Sequence, residues 1–553
     1  MLHQIVRDSF FGRVVYRLSG RTLLKHKEEL SSYVIPCKYI LGEDKTIDNA
    51  NVVSVTSSSS NTACSGEHPE VSISQEKIDA DWILVTWDGE DDPENPYNWP
   101  ILYKAIFIAK ISLLTTLVYM ASSIYTPGVD LVMQNMHVSR VKATLPLSMF
   151  VFGYGFGPML LSPLSEDARI GRTSIYSVST LIFFLLQIPT ALVSDIASLS
   201  VLRFLSGVFG SPCLATGSAS VGDITSVPWM PLSLAIWSAA QVSAPSFGPI
   251  IGAGLISDSH SYHWPFWFVC IVSGVLFIVL SVFLPESSGT TLLYRKAERL
   301  RALTGNDRIV SAGHLGLKGM NMKEILADTF WRPFEIMIFE PVVLLINIYL
   351  GLIYAILYLW FEAFPIVFYE TYHFSLVGMG ASYMSQIVGL LVGACFYLPI
   401  TYHRFTKKLL AGQALAPEVH LPVCIFGSLA MSLGMIVFAW TSTPSIHWIV
   451  PMIGGSAFMF GAFFAYQTLF NYLGMSFYRF LASVFAGNML FRAIMGGAFP
   501  LFGRSLFVNL ATEKYPVAWG TMILAIALVI LLVIPIVFYV NGPKLRARSK
   551  YAN

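Results

Sequence analysis

Apolar residues along this chain run in long blocks, without helical or strand periodicity, and most charged residues fall in the gaps between blocks. Each block is roughly 20 residues long, enough for a helix to cross a bilayer core of about 30 Å. Six blocks lie near residues 103–125, 140–162, 173–193, 199–221, 231–255 and 264–285. Six more lie near 339–361, 375–400, 421–441, 446–470, 480–504 and 517–540. The pattern predicts an all-α membrane protein of twelve spans. It divides into a tail over 1–99, a bundle over 100–286, a linker over 287–338, a second bundle over 339–541 and a short tail over 542–553.

Composition agrees with this reading. Of 553 residues, 55% are hydrophobic and 12% charged, whereas a soluble domain carries about 25% charge. Mean hydropathy is +0.62. Aromatics at 14% suit interfacial belts and a ligand cavity, although lipid-facing packing accounts for most of them.

The net charge of +2 matters less than where the charges fall. Arg295, Lys296, Arg299, Arg301, Arg308, Lys318, Lys323 and Arg332 cluster between the sixth and seventh blocks. Others sit at Arg404, Lys407 and Lys408 and in the tail at Lys544, Arg546, Arg548 and Lys550. Loops near 194–198, 256–263, 362–374 and 442–446 contain none. The positive-inside rule places both termini and the linker in the cytoplasm. Arg140 and Lys142, at the outer mouth of the second span, break it.

The first hundred residues differ in kind. Ser54–Ser60 is a polar low-complexity run within an Asn-, Asp- and Glu-bearing stretch, 43–81, that is expected to be disordered. Residues 1–30 place Arg7, Arg13, Arg17, Arg21, Lys25 and Lys27 against Ile5, Phe10, Val14 and Leu18. A helix lying on anionic lipid is one reading, and a mitochondrial targeting peptide another. No apolar signal core precedes Tyr103. Cys37 and Cys64 lie in the tail and Cys213, Cys270, Cys395 and Cys424 within spans, so no disulfide framework is implied. No metal-ligand spacing is present, and no Gly-Lys dipeptide exists to build a phosphate loop. Neither a metal, a cofactor, ATP, nucleic acid nor a catalytic residue is expected.

Candidate chemistry resides in polar groups that hydrocarbon disfavours. Arg203, within LSVLRFLSG, and Arg492, within FAGNMLFRA, are the candidates for proton coupling. A buried arginine either faces a cavity or paired group, or pins helices through backbone carbonyls. Lys110 is placed to snorkel toward the inner surface. The loop LLSPLSEDARIGR, residues 160–172, joins two spans with both signs of charge. Glu166, Gly171 and Arg172 belong to it, and Asp223 would share its face if the second to fourth spans adjoin. Asp223, Glu286 and Glu340 mark inner span ends, and Glu362 an outer one. SAPSFGPIIGAG, residues 243–254, places Gly248, Pro249 and Gly252 where helices pack closely or bend.

These segments carry a resemblance. PLSEDARIGR resembles the loop between the second and third helices of the major facilitator superfamily. LSVLRFLSG is similar to its fourth-helix arginine motif, and SFGPIIGAG to its fifth-helix antiporter motif. WDGEDDPENPYNWP, SSIYTPG, LRFLSGVFGSPCLATG and NLATEKYPVAWG, with others from Trp87 to the last residue, resemble fungal drug:proton antiporters of the twelve-span class. The resemblance implies two six-helix bundles rocking about a central cavity. It also implies a plasma-membrane pump that expels azoles, benomyl and methotrexate-like compounds in exchange for protons, with no cofactor beyond the proton gradient. Arg203 falls at the proton-linked arginine, Glu166, Gly171 and Arg172 in the gating loop, and Gly248, Pro249 and Gly252 in the antiporter motif. Ala244 replaces that motif's usual first glycine, Met489 an aspartate common in relatives, and Lys110 a neutral polar residue.

Candidate cavity residues follow from spacing. Asn347, Tyr354 and Tyr358 share one face of the seventh helix at i, i+7 and i+11. Tyr383 and Gln386 on the eighth, and Tyr466, Gln467 and Asn471 on the tenth, add polar and aromatic groups. An aromatic, weakly polar cavity suits flat hydrophobic drugs and not sugars. Import or facilitated diffusion of a small metabolite is the alternative, separated by flux direction and proton coupling. A membrane sensor would need a larger extension than these tails supply. The expected partners are small molecules, protons and lipid, with the chain acting as a monomer.

Overall fold

A computed structural model describes residues 2–36, 39, 82–318, 331–477, 480–549 and 551. Among these, twelve helices have the length and apolar character to cross a membrane. Those of the first half are Ile101–Met136, Arg140–Glu166, Arg172–Leu192, Ile196–Ile224, Val227–Ser259 and Trp264–Phe283. Those of the second are Pro341–Thr371, Leu376–Leu410, Pro417–Thr441, Ile449–Ser476, Ser483–Asn509 and Ala518–Ala547. Each overlaps one expected block, and the fold is the all-α bundle the hydrophobic pattern calls for.

Local chemistry sets ends and bends. Asp195 opens the fourth span by accepting the Ser198 N–H at 2.9 Å, and Ser375 opens the eighth by accepting that of Gly378 at 3.1 Å. The fourth span breaks at Ser211, where Pro212 has no N–H to continue the ladder. The eighth breaks at Tyr383.

Packing divides the spans into two groups of six. In the first, the principal pairs are second with fourth, first with fifth, and third with sixth. In the second, ninth with tenth is the most extensive pair, and beside it the counterparts of the first group recur as eighth with tenth, seventh with eleventh, and ninth with twelfth. Adding six to each label converts one set into the other, as a pseudo-two-fold repeat requires. Close approach relies on missing side chains. A Cβ on Gly153 would lie 2.1 Å from the Phe204 carbonyl oxygen, and one on Gly207 2.3 Å from that of Phe150, so the second and fourth spans touch through backbone. The groups meet through the second and eleventh spans and through the fifth and eighth.

Both termini and the linker share one face, here the terminal face; the opposite one is the far face. On the terminal face, residues 2–36 and 82–99 of the tail form helices, a strand and turns, and the stretch 43–81 expected to be disordered lies outside the described residues. Helices Leu2–Asp8 and Phe10–Leu18 pack against the third and sixth spans. Their basic residues meet protein, not lipid alone: Arg7 pairs with Asp8 and Glu94 at 3.0 Å each, and Arg13 donates to Ser174 at 3.1 Å. The linker helix Gly289–Thr304 follows, and Ile83–Leu84 pairs in parallel with Ile309–Val310. Tail and linker thus form one cap on the first bundle. Lys318 and Lys323 belong to stretches whose side chains are not described. Lys110 does not simply reach toward water, because its Nζ donates to the Phe283 carbonyl at 2.6 Å at the end of the sixth span.

Candidate functional site

Three polar constellations lie along the interface between the bundles or at its ends. On the terminal face, Gly171 precedes the third span with φ +77° and ψ 168°, a region essentially reserved for glycine. An added Cβ would lie 2.3 Å from Glu286 Oε2. The next residue, Arg172, donates its backbone N–H to Glu286 Oε1 at 3.0 Å, and its guanidinium meets Asp223 at 2.6 and 3.1 Å. Ser287 also donates to Asp223 at 3.1 Å. Arg172 and Asp223 are therefore brought together. Glu166 is exposed and makes no ion pair among the described residues. The cluster joins the third and fourth spans to the start of the linker and, among the described residues, shows no hydrogen bond or ion pair to the second bundle. Gly171→Ala is expected to cost about 1–3 kcal/mol and to lower the unfolding temperature of the purified protein. An unchanged temperature would remove the constraint assigned to this turn.

Toward the far face, the bundles are tied directly. Arg140 donates to Glu362 at 3.2 Å and to Asp130 at 2.9 Å, which explains a positive charge on the side where the rule predicts none. Ser246 donates to Gln386 Oε1 at 2.8 Å, from fifth span to eighth. Gly248 and Gly252 pack on the end of the first span, where a Cβ would lie 2.1 Å from Ser123 Oγ and 2.2 Å from the Ile124 oxygen respectively. Pro249 presents its carbonyl oxygen 2.8 Å from where a Cβ on Gly380 would sit. On the terminal face, Thr406 donates to the Pro228 carbonyl at 2.8 Å and Trp229 meets Tyr402 at 5.9 Å.

Between these ends lies a buried network of hydroxyls. Arg203, with none of its surface exposed, donates to the carbonyls of Ala121 and Ser122 at 2.8 and 2.9 Å and lies 4.2 Å over the Phe150 ring. It thus pins helices through backbone, the second of the two arrangements open to a buried arginine. Ser122 Oγ meets the Tyr358 hydroxyl at 2.8 Å, and Tyr154 donates to Tyr358 at 3.0 Å. Tyr154 also shares a short hydrogen bond with Tyr354. The Arg492 guanidinium stands 5.3 Å from the Tyr354 ring, 5.5 Å from Tyr466 and 5.3 Å from Phe470. It donates to Met489 Sδ at 3.2 Å, and Tyr119 reaches the same sulfur at 3.8 Å while accepting from Gln241 at 2.8 Å. One continuous path of polar contacts therefore connects two buried arginines in opposite bundles. No carboxylate pairs with either arginine among the described residues.

Residues chosen from spacing are distributed unevenly about this network. Tyr354 and Tyr358 are its centre, and Asn347 accepts from Asn488 at 2.7 Å nearby. Gln386 joins the seam between bundles, and Gln467 is buried with its Nε2 unpaired. Tyr466 donates to the Leu350 carbonyl at 2.9 Å while its ring faces Arg492. Tyr383 instead bonds the Trp360 carbonyl at 3.1 Å, and Asn471 donates to Tyr397 at 3.0 Å, each within its own bundle. Spacing arguments overlooked Tyr119, Ser122, Tyr154 and Gln241 of the first bundle. The signal was present, since polar groups within apolar blocks need partners there as well.

The constellation offers aromatic faces, hydroxyls and two fixed cations, which suits ligands that are flat, largely apolar and equipped with a few acceptors. The family model described as Major Facilitator Superfamily matches residues 111–500. The chain is 52% identical, over 99% of both sequences, to a cycloheximide resistance protein of Candida maltosa. It is 40% identical to transporter mfs1 of Schizosaccharomyces pombe over 99% of both, and 40% identical to fluconazole resistance protein 1 of Saccharomyces cerevisiae over 89% of both. Among solved structures, the proton:xylose symporter XylE matches with TM-score 0.55 at 12% identity, covering 80% of this chain and 97% of that one; this likeness concerns the fold alone.

Proposed function

The chain belongs to the major facilitator superfamily, a multi-pass family of membrane transporters, and from that premise we propose that it expels hydrophobic drug-like compounds in exchange for protons. The observation that carries the reading is the aromatic and hydroxyl network joining Arg203 to Arg492 across the bundle interface. Such a surface binds flat, weakly polar molecules by stacking and a few hydrogen bonds, and lacks the dense fixed donors and acceptors a sugar needs. Relatives named for cycloheximide and fluconazole resistance point the same way. Cycloheximide and azoles are therefore the first compounds to test, followed by benomyl and methotrexate-like molecules.

In this proposal the protein acts as a monomer in the plasma membrane, with both termini in the cytoplasm and the far face outside. Tyr354, Tyr358, Tyr466, Gln386, Gln467 and Asn347 border the substrate path from one bundle, and Tyr119, Tyr154 and Gln241 from the other. Arg492 offers its cation to the substrate's acceptors. Arg203 and the glycines of the fifth span hold the end of the first span in place. The Arg172–Asp223 pair steadies the inner ends of the first bundle, and the Arg140–Glu362 pair seals the outer ends of both. A proton reaching Glu362 from outside neutralises it, frees Arg140 and unseals the outer side for drug release. For the exchange to be coupled, Glu362 must give up that proton toward the cytoplasmic side before Arg140 pairs with it again and reseals the outer side.

The test is efflux from a yeast deprived of its own exporters. Cells carrying the chain are expected to hold less labelled fluconazole or cycloheximide than controls, and a protonophore is expected to erase the difference. Equal retention despite correct surface delivery would overturn the drug assignment. Accumulation of a metabolite by those cells, insensitive to the protonophore, would favour import or facilitated diffusion.

A further inference from the structure

The transport network accounts for none of the arginines gathered on the terminal face. There the helix Phe10–Leu18, the loop before the third span and the linker helix Gly289–Thr304 enclose a cavity of about 360 Å³. Its volume lies within the range of roughly 300–1,000 Å³ typical of small-ligand sites. Arg13, Arg17, Arg21, Arg169 and Arg295 line it. Arg7, Lys296 and Arg299 line it too but are already paired, Arg7 with the lining carboxylates Asp8 and Glu94, Lys296 with Asp88 and Arg299 with Glu28, while Glu298 is taken by Arg301 and His314.

The arginines are left with too little negative charge. Arg13, Arg17, Arg21 and Arg169 have no carboxylate partner among the described residues. Arg13 bonds only neutral oxygens, on Ser9 at 3.2 Å and Ser174 at 3.1 Å, and its Nη2 is buried without a partner. Arg295 gives one nitrogen to the Ile170 carbonyl at 2.8 Å and the distant edge of Glu286 at 3.4 Å, and its Nε is likewise buried and unpartnered. Burial, with the neighbouring Arg295 adding to it, pushes the Arg13 guanidinium down to about 10. Guanidinium forks this close call for a ligand with several charged oxygens, and phosphate groups supply that geometry.

The location narrows the ligand. Ser174 lies in the first turn of the third span, and Ser9 bridges to Pro285 just beyond the sixth, so the cavity sits level with the membrane surface. The same helix exposes Phe11 at 48% and Leu18 at 83%, an apolar edge fit to rest among acyl chains. We propose that this cavity is a binding site for a multiply phosphorylated inositol group, presented by a membrane phosphoinositide or free as an inositol polyphosphate. Bound there, the phosphates would bridge the amino-terminal helix to the loop at Ile170 and to the linker, three segments that otherwise meet around uncompensated charge.

The full-length protein in discs of neutral lipid would be titrated with fluorescent short-chain phosphatidylinositol bisphosphate and, separately, with inositol hexakisphosphate. Saturable binding is expected, weakened by added salt. Arg17→Gln with Arg21→Gln, both exposed and free of side-chain bonds, is expected to weaken it about tenfold or more. Arg13→Gln is expected to weaken it at least as much. Tighter binding of the lipid probe would identify a membrane source, and equal or tighter binding of the soluble probe a cytosolic one. Failure of both probes to bind saturably, or binding indifferent to all three substitutions, would overturn the proposal.

Discussion

Arg203→Ala is expected to reduce drug efflux about a hundredfold or more while the protein still reaches the membrane. The Arg203 guanidinium supplies the donors for Ala121 and Ser122, two carbonyls in the last turn of the helix Ile101–Ser123, which makes up most of the first span, where the helix has exhausted its own N–H groups and carries partial negative charge. Each carbonyl left buried without a donor costs about 1–3 kcal/mol. The emptied volume beneath Phe150 and Phe266, now 4.2 and 5.7 Å from the cation, adds a cavity term. Damage would pass onward because Ser122 is also the contact to Tyr358 in the opposite bundle. Arg203→Lys restores a charge but not the two-pronged donor and is expected to recover about a tenth of the activity. With no carboxylate beside it, Arg203 acts in this view by positioning the first span. The lysine variant should therefore keep its sensitivity to a protonophore even as its rate falls. Transport within twofold of wild type in the alanine variant, normalised to surface protein, would sink this role.

The spans were legible because a bilayer leaves little choice: an apolar block of the right length must become a helix to satisfy its own backbone. Their pairing was less so, since only glycines such as Gly153, Gly207, Gly248 and Gly252 mark the contacts, and which helix a glycine faces depends on topology. The basic start shows a different limit. Arg7 and Arg13 read as membrane-seeking charges because their partners, Glu94 and Ser174, lie far along the chain. Arg140 was an anomaly in sequence partly for the same reason, since Glu362, one of its two partners, is 222 residues away.

The candidate site was read in half. Periodicity picked out the Tyr354–Tyr358 face correctly as a polar face, yet the first bundle's Tyr119, Tyr154 and Gln241 complete it. Met489 has a physical sense of its own beside Arg492. Where an aspartate would have neutralised Arg492, a polarisable sulfur accepts from it at 3.2 Å and leaves the cation unspent. In the function proposed above, that cation would be what meets a substrate's acceptor, a contact an adjacent carboxylate would block.

In the exchange proposed above, that unspent charge would leave the proton to another group, and Glu362 is the carboxylate we propose to receive it. It is buried at the outer end of the seventh span, with its partner Arg140 on the second. Protonating it from outside would remove one side of the only ion pair that joins the two bundles among the described residues. Glu362→Gln imitates the protonated form permanently. The outer seal is then weakened at every pH, and unsealing no longer consumes a proton. Efflux against a gradient is expected to fall about a hundredfold, with what remains indifferent to external pH and to a protonophore, while exchange of drug across the membrane at equal concentrations persists. Asp130, 2.9 Å from Arg140, keeps that arginine from becoming an isolated charge, so the variant should fold. Arg140→Gln should produce the same uncoupling, and the double variant should be little worse than either alone, because both act through one contact. Additive losses, or a Glu362→Gln protein that still concentrates drug outside in step with the proton gradient, would move the coupling site elsewhere. The Asp223–Arg172 pair on the terminal face would be the next place to look, since its half-buried carboxylate is another that an arriving proton could part from its arginine.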